Sequence, residues 1–333
     1  MKSKFLLSVL LICIIFIASC APKPAGEVPE AEKEQIKEQE QPQTTISFAK
    51  SVNFHDNAFT KEDIIQAKEL GANMITIWPA REVKNDEFTF TPERISGMIN
   101  AAHKNGLQVE LRSSFGGEQI QNFEKFKANS LKHVAEYAKF AEKYKVYRIV
   151  PFGEVDNTLL NHCSKITEFA KDMLAEMRKY YTGKIGIGVV GSWRDCGYNF
   201  NGYDYLTFSA YPSRSRGIGP WLTQNLNVPA DSDDAFNLAF LTNWARKVAD
   251  RSGIQTLHIG ETGIINPTDF QRADALSYAE GDKEKEAEYY RELFEQVSGK
   301  INGISVFYNS RFNYFSIYGD PAEKVVKEWY KRL

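Results

Sequence analysis

Residues 61–79 read "KEDIIQAKELGANMITIWP", and the two halves of the stretch follow different periods. Ile64, Ile65, Ala67, Lys68 and Leu70 recur at helical spacing, and Gly71 supplies the stop. "NMITIWP" (73–79) is a short β-type run. A helix that hands over to a strand within a few residues is one unit of an alternating α/β chain. The fold then depends on how often the unit repeats.

It repeats in both directions. "ISFAKSV" (46–52) precedes the helix, and "TPERISGMINAAHKNG" (91–106) follows the strand as a second helix, with Pro92 at a favourable first-turn position. Next come "LQVELR" (107–112), a Gly-rich loop and a helix near 128–144, then "VYRIVPF" (146–152) and the helix "KITEFAKDMLAEMRKYY" (165–181). The remaining β-type runs are "KIGIGVV" (184–190), "YLTFSAY" (205–211), "TLHIGE" (256–261) and "GISVFYN" (303–309). Helices are expected near 233–252, 284–298 and 321–332. Strict alternation predicts a parallel sheet, and eight repeats over about 290 residues predict closure into a single-domain (β/α)8 TIM barrel. The fifth unit is irregular, because "GSWRDCGYNFNGYD" (191–204) carries no clear helix. An open doubly wound sheet is the alternative, though no glycine fingerprint opens the first helix.

The segments before the barrel have other compositions. Lys2 and Lys4 precede an apolar run from Phe5 to Ile17, which is the pattern of an export signal and is short for a bilayer span. The closing "IASC" (17–20) resembles the lipobox of bacterial lipoproteins, which implies lipidation of Cys20 and an exported, lipid-anchored protein at the cell surface or in the envelope. Residues 21–45, rich in Pro, Glu, Gln and Lys without an aromatic, read as a disordered tether. The domain follows from 46 to 333. A net charge of −2 offers nothing to nucleic acid, and none of the five histidines forms a close pair for a metal. No cofactor and no oligomer are expected. Cys163 and Cys196 remain after processing, and in an exported chain such a pair reads as a disulfide bracing the loops after strands four and five.

Chemistry in such barrels sits at the C-terminal strand ends. Strand four ends in "PFGEVDN" with Glu154 and Asp156, and strand seven in "IGETG" with Glu261. Strand two ends in Trp78, strand three in Arg112, strand six in Tyr211, and strand eight in Tyr308 and Asn309. Strict alternation along strand seven places Leu257 and Ile259 on the face of Glu261 and turns His258 to the helical shell. On strand six, Thr207, Ser209 and Tyr211 form the inward set. Two glutamates facing each other across a barrel suit glycosidic-bond cleavage, in which one protonates the leaving oxygen and the other attacks or stabilises the anomeric carbon.

With these strand ends in place, the domain resembles a clan A glycoside hydrolase, and "AKELGANMITIWP" is similar to the β-mannanase and β-galactanase branches. The resemblance implies Glu154 in "FGEVDN" as acid/base, Glu261 in "IGETG" as nucleophile, and Tyr211 in "FSAYP" as a hydroxyl bonded to the nucleophile. It implies a β-linked mannan- or galactan-type substrate cleaved with retention. Two departures stand out. The clan's Asn before the acid/base is Gly153 here, leaving Asn157 or Arg112 to replace its contact with the sugar. Strand eight ends in "FYNS" where many members carry Trp, which makes Tyr308 the candidate stacking platform, with Trp78 as a second. A barrel that binds glycan without cutting it is the alternative that these departures favour.

Overall fold

The computed structural model describes residues 46–55, 60–78, 83–84, 87–88, 92–113, 120, 122–190, 196–210, 238–263, 283–308 and 316–333, all within the unit Thr45–Leu333. The expected signal, Cys20, the tether, Tyr211 and Asn309 lie outside these residues.

Eight parallel strands close into a barrel in chain order. They are β1 (Ala49–His55), β2 (Met74–Trp78), β3 (Gln108–Arg112) and β4 (Arg148–Val150), then β5 (Lys184–Val189), β6 (Tyr205–Ala210), β7 (Thr256–Thr262) and β8 (Gly303–Phe307). Pairing of β1 with β8, Ala49 opposite Gly303 through Asn53 opposite Phe307, seals the cylinder. The outer helices are α1 (Lys61–Leu70), α2 (Pro92–Lys104), α3 (Phe123–Lys143) and α4 (Ile166–Met177), with α5 (Leu238–Arg251), α6 (Lys283–Val297) and α7 (Pro321–Arg332). Among the described residues no helix stands between β5 and β6, in keeping with the irregular fifth unit.

The α1–β2 unit shows how local sequence sets these boundaries. Thr60 and Asp63 form a reciprocal capping box, and Gly71 ends the helix at φ 100, a left-handed backbone that favours glycine. A cap of this kind stabilises a helix by about 1 kcal/mol. The outward faces of the strands, among them Ile75, Ile77, Val109, Leu111, Leu206 and Phe208, are fully buried in the shell against the helices.

The inward faces are largely polar. Ser51, Asn53, Thr76, Glu110, Arg148, Thr207, His258 and Ser305 are all buried, where barrels of this class more often stack branched apolar residues. A ladder of side-chain hydrogen bonds joins β1, β2 and β8: Ser51 to Thr76 (2.8 Å), Thr76 to Ser305 (3.2 Å), and Ser305 to Asn53 Oδ1 (2.9 Å). Buried hydroxyls and amides that bond one another avoid most of the desolvation cost they would otherwise carry.

Cys163 and Cys196 form the expected disulfide, with Cα atoms 5.7 Å apart. The bridge closes a 33-residue separation, for which the chain-entropy model gives roughly 3–4 kcal/mol.

Two glycines predict opposite outcomes. A Cβ on Gly188 would lie 2.2 Å from the Gly153 carbonyl oxygen, whereas Gly97 on α2 has nothing within 4 Å. Gly188→Ala is expected to destabilise by about 2 kcal/mol or more, and Gly97→Ala to stabilise by about 0.5–1 kcal/mol. Urea midpoints at unchanged m-value measure both.

Candidate active site

Glu261 reaches the barrel mouth through a bulge. Between β6 and β7, Phe208 pairs with Ile259 but Ser209 pairs with Glu261, so one extra residue, Gly260, is inserted. The insertion reverses the alternation. Leu257 and Ile259 belong to the outer shell, while His258 lies inside, where it accepts a hydrogen bond at Nδ1 from Arg148 Nη1 (2.7 Å) and its ring meets Tyr205. The expectation that His258 faces the helices is therefore corrected. It assumed an unbroken two-residue period across Gly260. The glycine also leaves space, since a Cβ there would fall 2.0 Å from Arg112 Nη1.

Arg112 uses that space. Its Nε donates to Glu110 Oε1 (3.2 Å), and its Nη1 stands 3.8 Å from Glu261 Oε1. Its guanidinium also lies 5.4 Å from the Trp78 ring centroid. On its other oxygen Glu110 faces Arg148 Nε (2.5 Å) and accepts from the Tyr205 hydroxyl (3.1 Å). The Glu110 carboxyl is consequently held below its ordinary value: burial opposes ionisation, but Arg148, Arg112 and the Tyr205 hydrogen bond together outweigh it. His258 is pushed well below the usual imidazole range by burial and by Arg148, so it remains neutral.

Glu154 sits beyond β4 as the N-cap of a single helical turn, Val155–Thr158, followed by a 3-10 helix, Leu160–Lys165. Burial and the charge of Glu261 raise its pKa from 4.5 to about 7, with Asp156 adding to the rise and Asn157 and Arg112 opposing it. Asn157 Nδ2 donates to Glu154 Oε2 (3.0 Å). Asp156 is fully buried, and its Oδ1 accepts from the backbone N–H of Asn157 (3.1 Å) and of Val190 (2.9 Å). It ties the turn to the end of β5, which is a structural duty. Gly153 closes the corner: its N–H donates to Ser113 O (2.6 Å), and a Cβ on it would meet Ser113 O at 3.2 Å and Trp78 Cη2 at 3.5 Å. A side chain at 153 would press on that wall, so an asparagine there would require the wall to give.

The other expected contacts divide. Trp78 is only 6% exposed, with its indole N–H on Asn53 Oδ1 (3.3 Å), and forms wall beside Gly153 and Arg112. Tyr308 lies in the outer shell: its hydroxyl donates to Glu323 of α7 (3.1 Å) and its ring meets Tyr318 edge-on. The expected stacking platform is thereby corrected, because Tyr308 is one residue out of phase with the inward positions of β8. Phe307 shares the inward parity of Ser305 and is buried. Glu110 and Arg148 were not anticipated. The signal was present, since a charged residue alternating with apolar ones on a helix-covered strand must face the barrel axis. Among the described residues no group of three or more His, Cys, Asp or Glu is placed to hold a metal, and no helix is long and apolar enough to cross a membrane.

A raised carboxyl is not by itself a site. Glu286 on α6 is also buried, and its pKa is raised to about 8 by burial and Asp320, opposed by Lys283. No second acid of the barrel mouth raises it. The shift on Glu154, by contrast, involves Glu261, the opposite carboxyl of the same mouth. That pairing separates the candidate site from an incidental buried acid.

No protein-family model matches this chain, and no curated protein matches it in sequence. Solved structures match in fold. A GH113 β-1,4-mannanase is 15% identical with a TM-score of 0.63, covering 86% of this chain and 100% of that one. The GH113 β-mannanase AaManA from Alicyclobacillus acidocaldarius, in complex with ManMIm, is 16% identical with a TM-score of 0.59, covering 86% and 98%. Thermotoga maritima Cel5A, in complex with mannotriose, is 17% identical with a TM-score of 0.61, covering 85% and 97%. At these identities the likeness is one of fold.

The raised pKa of Glu154 makes a stability prediction. The folded state binds more protons than the unfolded one between about pH 4.5 and 7, so stability contributed by the neutral carboxyl is lost as pH rises through that window. Glu154→Gln is expected to stabilise the protein at pH 8 by about 1–3 kcal/mol and to change it little at pH 4. Denaturant titration at both pH values measures the difference.

Proposed function

We propose that this chain is a retaining glycoside hydrolase with Glu154 as acid/base and Glu261 as nucleophile. One observation carries the reading: two carboxyls share the barrel mouth, one pushed towards its neutral form and the other set against a buried guanidinium. Glu154 donates its proton to the glycosidic oxygen as that bond breaks, and Glu261 bonds to the anomeric carbon. In the second step water attacks the same carbon, its proton passes to the Glu154 carboxylate, and the ester to Glu261 is released. A general acid ionising near neutrality is suited to both steps.

For the substrate, the fold neighbours favour β-1,4-linked mannan-type chains, since two are β-mannanases and Cel5A was captured with mannotriose. Galactan-type chains are the second candidate. Tyr211, Asn309 and Trp78 complete the proposed sugar contacts. Gly153 favours a second reading, a barrel that binds glycan without cleaving it, because the position cannot offer a side-chain amide to the sugar.

We infer also that the chain is exported and carries lipid on Cys20, in keeping with the disulfide between Cys163 and Cys196. Cys20→Ser is expected to move the protein from the membrane to the soluble fraction on cell fractionation.

Hydrolysis of aryl β-mannosides and of mannan decides between the readings. Glu261→Gln is expected to lose at least about 10³-fold in kcat and Glu154→Gln about 10²–10⁴-fold, with the wild-type kcat/KM falling above about pH 7 as Glu154 loses its proton. Binding of manno-oligosaccharides with no hydrolysis by the wild type supports the second reading.

A further inference from the structure

We infer that Asn157 is a positioning residue that assigns the two oxygens of Glu154 their separate tasks. The inference rests on the reading of Glu154 as acid/base. Its geometric basis is the single turn Val155–Thr158. Glu154 caps this turn through its backbone, Thr158 N–H donating to Glu154 O (2.9 Å), while its side chain makes no capping bond. The carboxyl is left available, and the turn returns Asn157 three residues later to the same face.

The bond from Asn157 Nδ2 to Glu154 Oε2 (3.0 Å) runs in one direction only, because an amide nitrogen can donate but not accept. Oε2 must therefore present a lone pair whether Glu154 is neutral or ionised. The carbonyl oxygen of a neutral carboxyl accepts more strongly than its hydroxyl oxygen, so the bond favours Oε2 as the carbonyl and Oε1 as the oxygen that carries the transferable proton. In the first step the Oε1–H bond breaks and the proton goes to the departing glycosidic oxygen. In the second, a proton from the attacking water returns to Oε1. Oε2 keeps its partner throughout, so the carboxyl does not have to rotate between the steps.

A neutral donor also suits the task. A lysine or arginine at 157 would favour the carboxylate strongly and remove the acid at neutral pH. An amide opposes the rise only mildly, and the net effect on Glu154 is still upward. The mounting is rigid on the side that matters: Asp156 binds the Asn157 backbone N–H and that of Val190, and Leu159 N–H closes on Val155 O (3.0 Å). The Asn157 side chain itself is exposed, so its removal leaves the fold in place.

The test uses the full-length protein with 13C-labelled glutamate, Glu154→Gln serving to assign the Glu154 signal. In Asn157→Ala the Glu154 titration is expected to move upward. In Asn157→Asp, whose ionised carboxylate repels rather than donates, it is expected to move further. Hydrolysis of aryl and alkyl β-mannosides gives the second readout. In kcat/KM, which reports the first step, Asn157→Ala should lose about 5- to 30-fold on alkyl leaving groups, which need protonation, and little on dinitrophenyl, which does not. An unmoved Glu154 titration, or equal losses across leaving groups, overturns the assignment. The titration needs no turnover, so a wild type that hydrolyses nothing counts against the glycosidase reading, while the NMR result still decides whether Asn157 controls the Glu154 proton.

Discussion

A single buried carboxylate, Glu110, organises the barrel interior. It is fully buried between two arginines, and none of the three could be tolerated alone at that depth, because an unpaired buried charge costs several kcal/mol. Glu261 adjoins this set, its Oε1 standing 3.8 Å from Arg112 Nη1. Each arginine then has a second task. Arg148 donates to His258 and fixes its tautomer, while Arg112 extends past Trp78 towards Glu261. The position of the candidate nucleophile thus depends on a carboxylate one layer beneath it.

The glycines of the wall follow from the same constraint. Guanidinium groups and aromatic rings packed along a barrel axis need volume, and the wall supplies it where side chains are absent. Gly260 lets Arg112 through, and Gly186 makes room for the Tyr205 ring, which would stand 2.4 Å from a Cβ there. Gly188 admits the Gly153 backbone, which carries Glu154 inward over β5. The two candidate catalytic groups are consequently mounted in different ways. Glu261 belongs to a bulged strand and is held from below. Glu154 belongs to a helical turn outside the strands, held from the side by Asp156 and Val190, with the Cys163–Cys196 bridge closing the loop beyond it. Different mountings place the two carboxyls in different environments, and two acid/base roles require that difference.

Much of this was legible beforehand. All eight strands and the helices that follow seven of them could be read from periodicity, because outward strand faces must be apolar to meet the helices and helix ends carry caps such as Thr60 and Gly71. Glu154, Glu261 and Arg112 could be named as strand-end residues, and the cysteine pair as a bridge. The orientation of His258 could not be read from period alone, although Gly260 within a strand is a recognised sign of a bulge. Tyr308 was misplaced for a related reason: next to a strand end, one residue separates a platform in the cleft from a ring in the shell.

What the sequence determined by itself, then, was the architecture and the strand ends at which chemistry could occur, because period and apolar content are local properties of the chain. Only the tertiary structure decided which carboxyl is pushed towards its neutral form, which is set against a guanidinium, and which merely braces a loop. Those outcomes depend on partners far apart in sequence, Glu110 with Arg148 and Glu154 with Glu261, whose distances and burial do not exist until the barrel closes.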